Sequence, residues 1–200
     1  MKPVAIIVLL SITAVLGADK NKRFTPGPAS SYPGHQTLDK ITIAAVPYTS
    51  EQQSAPAFGK AYPYKYGILP VLVIIQNDTG KALRLDLQAE FIDARNRHLD
   101  AMPPADVVLF DGARKDSWRT GTGPSSPIPV PLPRKKKGGP LHVPEIEGLA
   151  FSAHLLPPGE SVHGFFYFET ANEPGAKIYL TGIKDAATGR DYLYFEIPLQ

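Results

Sequence analysis

The chain has 200 residues, a formal charge of +2, no cysteine, 17 glycines and 21 prolines. That length suits one domain with a sizeable core, and the charge is too small to mark a nucleic-acid binder. Without cysteine there are no disulfides, thiolate metal sites or cysteine nucleophiles, and the Gly/Pro punctuation fits short strands joined by many turns.

Met1-Lys2 precedes an apolar run from Val4 to Leu16, broken only by Ser11 and Thr13. Small Gly17 and Ala18 follow, then the polar Asp19 to Arg23. A charged start, a short apolar run and a small-residue exit describe a secretory signal peptide over 1–18, cleaved after Gly17 or Ala18. The run is about 13 residues, whereas a bilayer span needs roughly 20. An uncleaved anchor is the competing reading. The expectation is an exported chain, periplasmic or extracellular, with no transmembrane segment once matured. Residues 19–36, with Pro26, Pro28, Pro33, Gly27 and Gly34, read as a flexible leader to a domain over 37–200.

Ile41 to Tyr48 resumes β character, with Ile41, Ile43 and Ala45 on one face. Ser50 to Gln53 matches the S-x-x-Q capping box, and Pro56 stops the helix soon after. The spacing predicts a short helical turn crossing between sheets. Tyr62, Tyr64 and Tyr66 alternate with Pro63 and Lys65, as side chains covering a sheet edge or forming a stacking surface would. Leu69 to Ile75 is almost wholly apolar and reads as a strand buried on both faces. Leu83 to Phe91 alternates strictly, with Arg84, Asp86, Gln88 and Glu90 on the wet side. Asn77-Asp78-Thr79-Gly80 lies between, so the two are expected to form a central β-hairpin. Asp100 to Phe110 is either a short helix opened by Pro103-Pro104 or a strand at Val107 to Phe110.

Residues 112–140 break the composition. Prolines stand at 127, 129, 131 and 133, and seven basic residues face only Asp116, a net +6. A loop of this length is either disordered or functional. Alternating prolines favour an extended backbone, which strings Ile128, Val130 and Leu132 into an apolar strip before Arg134, Lys135, Lys136 and Lys137. Trp118 stands among cations beside Arg119, a pattern that suits a contact residue. These six, Trp118, Arg119, Arg134, Lys135, Lys136 and Lys137, are the candidate binding residues. The partner they fit is an envelope protein or an anionic surface.

The β pattern returns in Gly148 to Leu156, with Leu149, Phe151, Ala153 and Leu155 on one face. Pro157-Pro158-Gly159-Glu160 is a type II turn, leading to a strongly apolar strand over Val162 to Glu169 that is expected to be central. Ala176 to Ile183 alternates, Asp185 to Asp191 is a loop, and Tyr192 to Leu199 closes with Leu193, Phe195 and Ile197 inward. Seven to nine such strands predict an all-β, antiparallel sandwich. Phe58-Gly59, Gly67-Ile68-Leu69-Pro70-Val71 and Leu156-Pro157-Pro158-Gly159-Glu160 give residues 40–200 a general resemblance to immunoglobulin-like β-sandwiches of uncharacterised bacterial secreted proteins. The resemblance implies a fold and brings no catalytic residue.

The motifs of common chemistries are missing. None of His35, His98, His142, His154 and His163 stands at helical metal spacing, though His154 and His163 would approach each other if their strands formed a hairpin. Ser117, Ser152 and Ser161 lack a G-x-S-x-G elbow. No catalytic residue, metal ligand or cofactor is therefore assigned. The sequence points to a non-catalytic binding or assembly module outside the cytoplasm. The alternative is a hydrolase or metal protein whose site forms only on folding.

Overall fold

The structure, a computed structural model, describes residues 24–110 and 139–200. In chain order these form β1 (His35–Leu38), β2 (Ile41–Pro47), α1 (Glu51–Phe58), β3 (Leu69–Asn77), β4 (Leu83–Ile92) and β5 (His98–Asp100). Then follow α2 (Pro104–Val108), α3 (Pro144–Gly148), β6 (Leu155–Leu156), β7 (Ser161–Phe168), β8 (Lys177–Asp185) and β9 (Tyr194–Pro198). The strands make two sheets, with order β1-β2-β3-β7 in sheet A and β5-β4-β8-β9 in sheet B, where β6 also joins β4. Every strand pair is antiparallel. This is an all-β, two-sheet architecture with few helices.

Side-chain alternation explains the layers. Ile43, Val71, Val73 and Ile75 of sheet A meet Leu85, Phe91, Ile178, Leu180, Phe195 and Ile197 of sheet B in the core between the sheets. The opposite face of sheet A is apolar too: Ala44, Leu72, Ile74, Phe165 and Tyr167 lie under Phe58, Val107, Val108 and Ile146 of the three helices. Sheet A is thus buried on both faces, which is why Leu69 to Ile75 carries no wet position. Tyr167 donates its hydroxyl to Ile146 O at 2.8 Å and so pins α3.

Ser50 caps α1 as the sequence indicates: its side chain accepts from Gln53 N at 3.2 Å, and Gln53 Oε1 accepts from Thr49 N at 3.3 Å. The helix contains Pro56 and ends at Gly59, whose φ of 62° breaks the helical path. It lies on sheet A rather than crossing between sheets. Asp100 to Phe110 resolves as the short helix α2, with Pro104 in its first turn.

The expected central hairpin is not formed. β3 pairs with β2 and β7, and β4 pairs with β5, β6 and β8, so Asn77 to Lys81 is an arch from one sheet to the other. Asn77 holds that arch. Its amide nitrogen lies 2.7, 3.1 and 3.0 Å from the carbonyls of Lys81, Leu156 and Pro157, while its Oδ1 accepts from Thr79 N and Oγ1. The Pro157–Glu160 turn, with Gly159 at φ 77°, bonds back to Asn77 through Gly159 N.

Two straps close the β4/β7 side of the sandwich. Asp100 lies against Glu90 of β4, and Met102 N then donates to Tyr167 O of β7 at 2.7 Å. Leu149 and Phe151 bond to Phe165 of β7, after which Leu155 and Leu156 pair with β4. Gly148 to Leu156 is therefore a helix end and a crossing strap, not one long strand. Gly164 is required there, because a Cβ would stand 2.4 Å from Phe151 Cα. β7 is correspondingly the last strand of sheet A, not a central one.

Residues 24–36, the described part of the expected leader, touch the domain at several points. Ala29 is fully buried, Phe24 lies 5.7 Å from the Phe165 ring, and Gln36 Oε1 accepts from Glu196 N of β9. Tyr62, Tyr64 and Tyr66 sit in and beside a tight 3-10 turn. Tyr64 meets the core between the sheets and Tyr66 meets the core beneath the helices. Leu193 adopts φ 63° and points to solvent, so the inward set of β9 is Phe195 and Ile197 alone. Residues 1–18, expected to be a signal peptide, lie outside the described part. Among the described residues no helix is long and apolar enough to cross a membrane.

Candidate functional site

The helices cover sheet A, and the outer face of sheet B carries an aromatic row. Ile178, Leu180, Phe195 and Ile197 turn to the core, so Tyr179, Tyr194 and Glu196 turn outward. Tyr179 stands opposite Glu90 on one side and Glu196 on the other, and Tyr194 stands opposite Thr181. The Tyr179 and Tyr194 rings stack at 5.3 Å with an interplanar angle of 28°, and the His98 ring meets Tyr179 edge-on at 6.5 Å. The row thus crosses the strands, and Tyr194 at its end is 50% exposed.

Polar and charged groups flank the rings. His98 Nδ1 lies 2.6 Å from Glu90 Oε2, and Lys177 Nζ donates to Glu196 Oε2. His98 also lines a cleft of about 320 Å³ together with Phe91, Asp93, Arg97, Leu99, Glu169 and Thr170. Asp93 is fixed in place by its own loop. It accepts from the Arg97 and Arg95 backbone N–H groups at 2.8 Å and from Arg97 Nε, which together hold its carboxyl below the usual range.

Two other hollows compare poorly. A groove of about 450 Å³ between α1, α3 and Phe24 is walled by Ala55, Pro56, Ala57, Pro144 and Leu149, with Glu145 its single ionisable residue. A smaller one of about 180 Å³ contains Ser152, His154 and Asp86. That is the residue set of a hydrolase, but Asp86 bonds Arg84 Nε at 2.9 Å, and no hydrogen bond joins Ser152 to His154. Nor do His154 and His163 meet across a hairpin. His154 precedes β6 on sheet B, whereas His163 is on β7 in sheet A, with the Phe24 ring 6.0 Å away and burial lowering its pKa. Among the described residues no group of three or more His, Asp or Glu side chains could hold a metal.

The residues singled out in the insertion, Trp118, Arg119, Arg134, Lys135, Lys136 and Lys137, lie outside the described part. Its described flanks are α2 and α3, which share the core beneath the helical layer. The aromatic row went unnoticed in the sequence although the alternation already set Tyr179 opposite the core face. What alternation cannot supply is which strands become neighbours.

Fold and face together define a two-sheet antiparallel β domain with helices on one sheet and an aromatic surface on the other. No protein-family model matches the chain, and no curated protein matches it.

Proposed function

We propose that this chain is a non-catalytic, exported binding or assembly module of the cell envelope that takes its partner on the outer face of sheet B. The His98–Tyr179–Tyr194 row carries the reading. Large aromatic side chains in a partly open row are contact residues of high yield, because they offer wide apolar area at little entropic cost. Sheet A uses its own outer face for the helices, and among the described residues no helix packs on the outer face of sheet B. Export rests on the apolar Val4–Leu16 run, and an immunoglobulin-like relationship on the sandwich and its turn motifs. The +6 insertion, with Trp118, Arg119 and Arg134 to Lys137, is a second contact segment for an anionic partner.

A hydrolase is the rival, and the hollow shared by Ser152, His154 and Asp86 is what favours it. The engagement of Asp86 with Arg84 weighs against it. Co-sedimentation with the envelope fraction tests the proposal. Tyr194→Ala should lose most retention, and serine at 134–137 should lose part of it in a salt-dependent manner. Full retention by Tyr194→Ala would remove the sheet face as the contact surface.

A further inference from the structure

Beyond that reading, and independent of it, we infer that β5 is a docking edge for an extended basic peptide of a partner protein. The peptide adds to sheet B as a further strand and sends one lysine or arginine into the cleft beside Glu169. The backbone comes first. β5 ends sheet B and pairs with β4 alone. Asp93 N donates to Arg97 O and Ala101 N to Ala89 O, so residues 97, 99 and 101 turn their peptide groups towards β4. Alternation then turns the N–H and C=O groups of His98 and Asp100 away from the sheet. Among the described residues those outward groups have no partner. Other edges are covered: β7 gives Phe165 and Tyr167 to the straps, and Gln36 takes Glu196 N of β9. An edge left with open donors and acceptors in strand register is a template for strand addition.

The side chains say what kind of strand fits. A residue laid opposite Leu99 shares its face, and Leu99 and Phe91 wall the cleft of about 320 Å³. The same cleft carries the Glu169 carboxylate, which among the described residues has no hydrogen bond or ion pair. A cation on an aliphatic stem suits both the apolar wall and the acid. Residues opposite His98 and Asp100 turn outward, where the Asp100 carboxylate is likewise without a cation among the described residues. Around strand and cleft the acids Glu90, Asp93, Asp100 and Glu169 outnumber the bases Arg95 and Arg97, and still do with His98 protonated. Charge therefore selects a basic partner over an acidic one.

Calorimetry on the full chain tests this with a capped hexapeptide of alternating lysine and threonine as the probe. Its affinity should fall about tenfold in Glu169→Gln, the loss expected of one charge-assisted contact. Asp106→Asn, on α2, should leave it unchanged. Backbone chemistry gives the sharper arm. With a lysine opposite Leu99, threonines lie opposite His98 and Asp100 and exchange hydrogen bonds with β5. N-methylation of the threonines should therefore abolish binding, while N-methylation of the lysines should spare it. Equal binding of the two methylated peptides would reduce the contact to charge and overturn strand addition. Full affinity in Glu169→Gln, or equal binding of a glutamate–threonine hexamer, would overturn the choice of a basic partner. Failure of the parent hexamer to bind overturns the inference outright. So does a dimer of the chain that protects β5 from hydrogen exchange without peptide, because a second copy then holds the edge.

Discussion

Asn77 shows how one polar side chain can hold two sheets together. It has no exposed surface, and its amide ties the arch to the carbonyls of Leu156 and Pro157, 79 and 80 residues away. Asn77→Ala should cost at least about 2 kcal/mol in denaturant unfolding, since several buried groups lose their partner at once. Asn77→Asp should be worse, because it sets a carboxylate against those carbonyls. A loss below about 0.5 kcal/mol for the alanine variant would mean the corner is held elsewhere. In the sequence Asn77 was legible only as a turn former, for nothing local announces partners so distant. Ile74 and Phe166 divide similarly. Both belong to strongly apolar strands, and Ile74 is buried, but Phe166 is only partly buried and stacks on Phe151 of the strap.

At the scale of elements, the strands were legible because alternation is a local property of the pleat, and the capping box of α1 because it spans four residues. Sheet membership was not. A turn sequence specifies a reversal, whereas arch or hairpin depends on which faces the rest of the chain covers. The β1–β2 hairpin escaped for another reason: its two-residue turn is Asp39-Lys40, both at positive φ, in place of the Asn-Gly that signals such turns. Two loops of sheet B share one device. Asp93 and Asp185 each begin a loop, accept backbone N–H groups within it and pair with a base. Bonds from the Thr188 backbone and Lys81 bring Asp185 down to about 2. With the folded pKa depressed, the stability Asp185 contributes is complete above its unfolded pKa of about 4 and is lost as pH falls towards 2. Thermal unfolding should therefore show Asp185→Asn less stable than the parent at neutral pH, with the gap narrowing from pH 4 to 2. A gap independent of pH would remove Asp185 from the acid response.

For the whole molecule, the division of labour follows from what each sheet buries. Sheet A lies between two apolar layers and has no face to offer. Among the described residues sheet B buries one face and presents the other, which carries the aromatic row. The described flanks of the insertion, α2 and α3, pack on sheet A, so contact at that helical layer and contact at sheet B are distinguishable. Hydrogen exchange of the protein, with and without envelope material, distinguishes them directly. Added protection is expected in β8, β9 and β5 around Tyr179, Tyr194 and His98. Protection confined to α1, α3 and the segment between α2 and α3, with sheet B unchanged, would contradict the account.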